Sequence, residues 1–368
     1  MMYEEVLFKD IAVFKYGKMP DKKKLQADGY PVFSGYRYVG YYPEYNTEER
    51  TIVVVARGVG GTGDVKLTKE KCYLTNLSIS AEIKDSGRVL PEYLYYYFQV
   101  NNLRYLDSGS AQSQITIADL GNVVIPLPDI SIQKKIVEVL SAFDEQISLN
   151  ERINDNLMAQ AQTLFKKNIL DLSDEHPEWQ KGSLTDIAEY LNGLAMQKYR
   201  PSEKEEGIPV MKIRELRQGF CDMDSELCTP SIKKDYIIQD GDVIFSWSGS
   251  LLVDFWCGGK CGLNQHLFKV TSKKFDKWFY YLWTNYYLEK FIKIAEEKAT
   301  TMGHIKREDL SKSEVIILNE EHYNQTGADI APLYDMVINN RVESFRLASI
   351  RDALTTELIA GRTELLGM

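Results

Sequence analysis

The chain has 368 residues, 44% of them hydrophobic and 26% charged, a composition ordinary for a globular protein of two or three domains. The strongest apolar run, at 52–56, is too short to cross a bilayer, and the first residues do not resemble a signal peptide. Five cysteines without a secretion signal favour the cytoplasm over a disulfide framework, and a net charge of −9 argues mildly against nucleic-acid binding.

The sequence repeats itself, with a period of roughly half the chain and therefore far longer than the ~20–50 residues of solenoid repeats. Each copy ends in a long helical stretch. This predicts two units, each a globular part followed by a helix, that bind two similar targets. The matching segments are 10–17 with 186–193, 29–32 with 207–210, and 115–120 with 305–310.

The first half predicts mixed strands and loops. Residues 51–56 are apolar and β-branched, which indicates a buried strand, and 91–100 predict a short helix with aromatic faces. Residues 123–126 predict a short strand that ends at Pro126. Tyrosines interleaved with Arg37 at 30–45 either pack on strands or contact nucleic acid.

A glycine-rich segment at 58–63 follows the buried strand and matches G-x-G-x-x-G, with Glu82 where a ribose-binding acid is expected. A dinucleotide or S-adenosylmethionine site needs a helix after the third glycine, whereas 64–68 alternate like a strand. The pattern therefore favours a hairpin loop, with Arg57 at its edge, whose glycines allow close backbone approach to a groove or phosphate.

Other catalytic patterns are weak. Asp64, Glu82 and Lys84 give the outline of a metal-dependent nuclease site, but such a trio arises by chance in most charged chains. The histidines are scattered, and neither a hydrolase triad nor an amino-methyltransferase motif is present. Four cysteines lie close in sequence without the C-x-x-C pair of a zinc site, which favours packing: Cys221, Cys228, Cys257 and Cys261.

From 131 to about 170 the sequence contains neither glycine nor proline and predicts a helix of ~40 residues, about 60 Å long, capped by Asp129 or Ser131. Asn150 and Asn154 on its heptad seam either fix the register of a helix pair or face solvent or a partner. The seam residues are Ile136, Leu140, Phe143, Ile147, Asn150, Asn154, Leu157, Ala161 and Leu164.

The second half, after a polar link at 173–178, repeats the first with different loops. Residues 246–250 take the place of Arg57 and the glycine loop, and 299–304 correspond to 109–114. Equivalent loops with different amides, hydroxyls and basic groups suit two readers of two different base sequences.

The last helical segment predicts a start near Asp329, because Pro332 is tolerated only in the first turn of a helix, and a stop at Gly361. Each long helix has one apolar stripe without a partner in its own half. We therefore expect the two helices to pack antiparallel, with a globular domain at each end.

Several motifs carry a family resemblance. The Pro-Leu-Pro junction at 126–128 is followed by Gln133, Lys134 and Leu-Ser-Ala-Phe-Asp at 140–144, and then by further seam residues. With the two Asp-Ile-Ala openings and the stretch at 263–270, this pattern resembles the specificity subunit of Type I restriction-modification enzymes. The second junction, at 315–319, departs from this pattern because it lacks Pro-Leu-Pro.

The resemblance implies an α+β fold with two similar target recognition domains, at 1–128 and 173–319, separated by two long antiparallel helices at 129–172 and 320–368. Each domain would read one half of a bipartite, asymmetric site in double-stranded DNA. The helices would set the half-site spacing and dock two adenine methyltransferase subunits, and restriction-translocase subunits would join for cleavage. The chain itself would be non-catalytic and hold no metal, with S-adenosylmethionine bound by the methyltransferase.

The basic clusters, the tyrosine-rich stretch, the equivalent loops and the helix seams supply the candidate contact residues. For DNA they are Lys18, Lys22, Arg37, Tyr38, Arg57, Gly60, Ser110, Gln112, Gln114, Lys198, Arg200, Lys212, Arg214, Ser246, Trp247, Ser248, Thr300, Thr301, His304 and Lys306. For the helix seam and methyltransferase docking they are Phe143, Ile147, Asn150, Ile153, Leu157, Leu164, Val337, Ile338, Val342 and Phe345. The alternatives are a self-contained methyltransferase or nuclease, using the 58–63 loop or the acidic trio, and a two-headed protein scaffold.

Overall fold

The computed structural model describes residues 3–35, 37–58, 61–107, 114–297 and 304–362. Contacts divide the chain into two units: the first comprises Met1–Glu145 with Ser349–Met368, and the second comprises Gln146–Ala348. The C-terminal end of the chain therefore packs with the N-terminal half. No helix in the described part combines the length and the apolar character needed to span a membrane.

The first unit is built on short strands and helices. The strands are β1 Glu4–Leu7, β2 Ala12–Tyr16, β3 Tyr30–Ser34, β4 Arg37–Tyr42, β5 Ile52–Val55, β6 Val65–Leu67, β7 Tyr73–Leu74, β8 Ser78–Ile83 and β9 Val124–Leu127. The helices are α1 Phe8–Ile11, α2 Pro91–Val100, α3 Ile117–Gly121 and the first part of α4, which spans Ile130–Phe165. One sheet has the order β2-β8-β5-β6, a second has β4-β3-β7, and β1 pairs with β9.

The predicted elements of the first half are confirmed. β5 is buried along its whole length, and β6 returns antiparallel to it, so the glycine-rich segment joins two strands of a hairpin. The nucleotide-site alternative is wrong, because its phosphate-binding helix would have to begin where β6 lies. In α2, Pro91 occupies the first turn, where its missing N–H costs nothing, and Tyr93, Tyr96 and Phe98 are buried.

The second unit repeats this arrangement. Its strands are β10 Gln180–Ser183, β11 Glu189–Asn192, β12 Ile208–Met211, β13 Leu227–Cys228, β14 Ile237–Ile238, β15 Val243–Ser246, β16 Leu252–Phe255, β17 Cys261–Leu263, β18 Leu267–Thr271 and β19 Glu314–Ile317. Its helices are α5 Leu184–Ile187, α6 Ile213–Gln218, α7 Lys277–Tyr286, α8 Leu288–Glu297, α9 Arg307–Ser311 and most of α10, which spans Glu320–Ile359. The sheets run β11-β18-β15-β16 and β13-β12-β17-β14, and β10 pairs with β19.

Backbone hydrogen bonds make the repeat explicit. The N–H of Gly17 donates to the carbonyl of Ser78 at 3.0 Å, and the N–H of Gly193 donates to the carbonyl of Leu267 at 3.0 Å. At both glycines an added Cβ would lie about 2 Å from a carbonyl oxygen of the crossing chain, 2.2 Å in the first unit and 2.1 Å in the second. Only glycine fits this crossing, which explains why both copies carry it.

The second helix begins earlier than Pro332 predicts, at the residue that the family resemblance implies. α10 begins at Glu320, with the Asn319 side chain accepting from the N–H of His322 at 3.0 Å, and Pro332 lies inside it. An interior proline costs about 3 kcal/mol or more. Burial of Ile330 and Tyr334 in the aromatic core of the second unit offsets that cost. The helix ends as predicted: Gly361 has φ +66° and Arg362 N–H donates to the Glu357 carbonyl, a Schellman motif.

Polar seam residues pair the two long helices in the second unit. The Asn150 side chain is buried and donates to Glu343 at 2.8 Å and to Ser344 at 3.2 Å. Asn340 donates to the Asn154 side chain at 2.9 Å. Residue numbers along the seam increase on α4 as they decrease on α10, so the helices are antiparallel here. The asparagines lie between the helices, as the interpretation that they fix the register requires.

The same pairing continues within the first unit. Arg351 of α10 forms an ion pair with Asp144 of α4, and Asp144 also accepts a hydrogen bond from the Tyr96 hydroxyl at 2.6 Å. Leu358 and Ile136 share the hydrophobic core of this unit. Together with the duplicated sheets, this confirms the α+β class, the internal repeat and the antiparallel helix pair.

Candidate nucleic-acid interface

In both units the predicted loops meet at the end of the central strand. In the first, the N–H of Ile115 donates to the Ala56 carbonyl, and Arg57 pairs with Gln114 as an isolated bridge. In the second, the N–H of Ile305 donates to the Trp247 carbonyl at 2.9 Å, and Ser248 and His304 pair in the same way. The candidates outside the described residues are Gly60, Ser110, Gln112, Thr300 and Thr301.

The basic and aromatic candidates of the first unit lie on its outer β-hairpin and nearby loops. Arg37 and Tyr38 begin β4 directly after the hairpin turn, and both are exposed. Lys22 lies in a short 3-10 turn, and two residues beyond that turn the N–H of Gln26 donates to the Tyr41 carbonyl of β4 at 3.1 Å. Lys18 is also exposed. These contacts bring the Lys22 turn to the β4 edge.

The loop after β15 in the second unit divides into supporting and exposed groups. Ser246 is fully buried, and its hydroxyl donates to the Ser250 carbonyl at 2.9 Å. Its side chain therefore holds the loop from within and does not lie on the surface where DNA contact was expected. Trp247 donates through Nε1 to the Asn192 side chain at 3.0 Å and stacks on Phe268, which fixes the indole at the surface.

The basic candidates Arg200, Lys212 and Arg214 meet in a cavity of about 500 Å³. Gln197, Ile213, Glu226, Asn264, Gln265 and His266 complete its lining. The His266 ring nitrogen Nδ1 lies 3.2 Å from the Ser248 hydroxyl, which connects the cavity to the loop after β15. Lys198 and Lys306, also candidates, are exposed but do not line this cavity.

Each basic group of the cavity has an acidic partner. Arg200 lies 2.8 Å from Glu226, and Lys212 contacts the other oxygen of the same carboxylate. The hydrogen bond from Lys212, helped by Arg200, holds the pKa of Glu226 below its ordinary value. Arg214 pairs with the buried Glu215 at 2.7 Å. The guanidinium and ammonium groups are therefore held in fixed positions before any ligand arrives.

Sequence reasoning missed the acidic and turn residues of this cavity. Glu226 carries no signal in the sequence, because a carboxylate by itself argues against contact with phosphate. Asn264, Gln265 and His266 form the turn between β17 and β18, where the N–H of Leu267 donates to the Asn264 carbonyl at 3.0 Å. Their signal was present, since 263–270 carries part of the family resemblance and is rich in amide and imidazole groups.

The residues of the nuclease-like trio have separate partners. Asp64 pairs with Arg104 at 3.0 Å, Glu82 pairs with Lys15 at 2.8 Å, and the Lys84 ammonium donates to a backbone carbonyl. Among the residues that the structure describes, no group of three metal-ligating side chains comes together. The arrangement offers no support for the nuclease alternative.

The four clustered cysteines are unpaired thiols that serve packing. Cys228, Cys257 and Cys261 lie buried among apolar side chains of the second unit, and Cys221 packs against the cluster that contains Cys261. Burial raises the pKa of Cys228 to about 11 and that of Cys257 to about 12. These thiols remain protonated near neutral pH, as expected for packing residues.

The helix-seam candidates divide by exposure. Val337 and Ile338 are buried in the second unit, whereas Phe143, Ile147, Leu157, Leu164 and Val342 are half-buried along the seam. Ile153 and Phe345 are each 36% exposed, and Phe345 also lines a cavity with Asn154 and Arg341. An exposed apolar side chain such as Ile153 offers surface to a partner, while the buried ones hold the helices together.

Known proteins provide a comparison for this architecture. Residues 2–159 and 177–330 match the family described as Type I restriction modification DNA specificity domain, one match in each half. The MjaIX specificity subunit of Methanocaldococcus jannaschii is 27% identical over 301 residues, which is 74% of this chain and 69% of that protein. The EcoBI specificity subunit of Escherichia coli is 28% identical over 32% of this chain and 25% of its own length.

A solved structure has the same fold. The S subunit of the Type I restriction-modification system from M. genitalium superposes with a TM-score of 0.59 at 18% identity, over 97% of this chain and 96% of that one. The two family matches together cover well over half of the sequence, and each falls on one of the two repeated halves. The chain therefore belongs to the Type I restriction modification DNA specificity domain family.

Proposed function

We propose that this chain is the DNA-recognition subunit of a Type I restriction-modification enzyme, in which each globular domain reads one half of a bipartite, asymmetric DNA site. The observation that carries the proposal is the pair of equivalent loop clusters. Arg57 with Gln114 in the first unit and Ser248 with His304 in the second occupy the same place on the same framework. Different side chains on one framework are what two readers of different base sequences require.

The long helices have two roles in this proposal. They set the separation of the two half-sites, because α4 and α10 each run through both units. They also offer apolar surface, such as Ile153, on which two adenine methyltransferase subunits dock. The methyltransferase subunits supply S-adenosylmethionine and the catalytic groups, and restriction-translocase subunits join the assembly for cleavage. The present chain contributes specificity.

The acidic balance of the chain is compatible with this role. Three lysines are consecutive in the Lys22–Lys24 turn, and Arg200, Lys212 and Arg214 line the cavity of the second unit together with Glu226, within a chain whose net charge is −9. Electrostatic attraction to DNA acts over about 10 Å, so such local groups are effective despite the total. The methyltransferase subunits would supply the remaining phosphate contacts.

A methylation assay tests the proposal. The chain is co-expressed with a Type I methyltransferase subunit from the same genome, and modified adenines are mapped by sequencing. We expect one split motif with two specific halves around an unspecified gap. The control is the methyltransferase expressed alone, which should leave that motif unmodified. An active methyltransferase that modifies no split motif in the presence of this chain contradicts the proposal.

A further inference from the structure

Glu226 occupies an unusual position for a carboxylate on a DNA-facing surface. It lines the cavity of the second unit, where Arg200 and Lys212 hold its two oxygens separately. Its side chain remains 39% exposed, so the pair of cations neutralises the charge without burying the group. Arg200 and Lys212 also line the cavity themselves, so they keep the carboxylate directed into its concave space.

The surroundings of Glu226 are those of a base-reading site. Gln197, Asn264, Gln265 and His266 line the same cavity and are donors or acceptors of the kinds that contact base edges. Through His266 and Ser248 the cavity adjoins the loop after β15. A volume of about 500 Å³ accommodates the edge of a base pair together with ordered water.

We infer that Glu226 is a specificity-determining residue whose carboxylate accepts a hydrogen bond from the exocyclic amino group of a base, adenine N6 or cytosine N4, in the half-site read by the second domain. This inference rests on the proposed function. An ionised carboxylate only accepts hydrogen bonds, so it selects amino groups and rejects the keto oxygens of guanine and thymine in the major groove.

Arg200 and Lys212 act as positioning residues in this inference. A bare carboxylate near the phosphates would be repelled, whereas two bound cations compensate its charge and fix its direction. The alternative is that Glu226 merely masks the two cations until a phosphate displaces it. If Glu226 only masks the cations, its substitution changes the affinity for all DNA sequences. If it reads a base, its substitution changes the preference at one base position, so a single variant distinguishes the two.

The experiment compares Glu226→Gln with the unmodified chain and with Glu314→Gln, each co-expressed with the methyltransferase. Glu314 forms a similar exposed ion pair with Lys181 at 3.0 Å but does not line the cavity, and it is the matched control. An amide presents either an oxygen or an NH2 group. We therefore expect Glu226→Gln to accept amino and keto bases at one position, where the unmodified chain prefers amino bases on the order of tenfold or more.

The other outcomes decide against the inference in separate ways. A motif that stays identical in Glu226→Gln overturns it, as does a uniform gain in DNA affinity with steeper salt dependence and no change of motif. If methylation becomes too weak to map, competition between duplexes that differ at one position gives the same comparison. Absence of any split motif with the unmodified chain contradicts the proposed function instead, so the two failures are distinguishable.

Discussion

Substitution of Gly17 by alanine is expected to destabilise the first unit by about 3 kcal/mol or more, because the new Cβ would lie 2.2 Å from the Thr75 carbonyl oxygen. The obstacle is backbone, which cannot move aside as a flexible side chain can. The crossing that Gly17 makes also positions the turn before β8, next to the Arg57 loop. Loss of this crossing should therefore weaken recognition of one half-site.

Gly193→Ala is the equivalent change in the second unit, where the added Cβ would lie 2.1 Å from the Asn264 carbonyl oxygen. Asn264 begins the turn that carries Gln265 and His266 into the cavity. We expect a similar loss of stability, confined to the second unit, and weaker recognition of the other half-site. Hydrogen exchange resolved by peptide would assign the destabilisation to one unit or the other.

Gly61→Ala is the matched control for Gly17→Ala. An added Cβ there makes only ordinary contacts, the nearest at 3.7 Å, in the same unit. Thermal unfolding should change little for this variant, while Gly17→Ala should lower the transition by about 6–12 °C for a unit of this size. Equal unfolding temperatures for the two variants would show that the chain crossing at Gly17 is less constrained than its geometry indicates.

Insertion of seven residues into both long helices is expected to lengthen the gap between the half-sites without changing either half. Seven residues add about 10 Å, equivalent to about three base pairs, and preserve the heptad phase of the seam. The structure specifies where the insertions belong. They lie between Asp144 and Asn150 in α4 and between Ser344 and Arg351 in α10, so that each unit keeps its own helix contacts.

An insertion in α4 alone is the control. It would require either the Asp144–Arg351 ion pair of the first unit or the Asn150 hydrogen bonds of the second to break. Unpaired buried polar groups cost about 1–3 kcal/mol each, so this variant should unfold at a lower temperature than the matched one. Mapping of methylated motifs gives the gap directly. A changed base identity in either half, with an unchanged gap, would contradict the spacer role.

Prediction from sequence succeeded where short-range patterns dominate. Four consecutive β-branched residues make β5, and a heptad seam without glycine or proline makes α4. The glycine that ends α10 was equally predictable, since only a left-handed residue closes a Schellman motif without strain. In each case the physical cause lies within a few residues of the element itself, or in a hydrophobic periodicity that specifies the element whatever surface it packs against.

Prediction failed where contacts distant in sequence outweigh local preference. Pro332 should begin a helix by local rules, yet burial of Ile330 and Tyr334 holds it in the helix interior. The same holds for the site. Glu226 lies between Arg200 and Lys212, which are distant from it in sequence, and the Ser246 hydroxyl points into its own loop, so local sequence indicates neither position.

The sequence alone determined that this protein is a duplicated pair of domains on two long helices, because repeated motifs and heptad periodicity are properties of the chain order itself. Only the tertiary structure decided the register of the antiparallel helix pair, since Asn150 fits a solvent-facing or a buried position equally well until Glu343 and Ser344 lie beside it. It also decided which loop side chains are buried and which are exposed. Base readout depends on the direction and charge state of side chains, and neighbours far along the chain determine both.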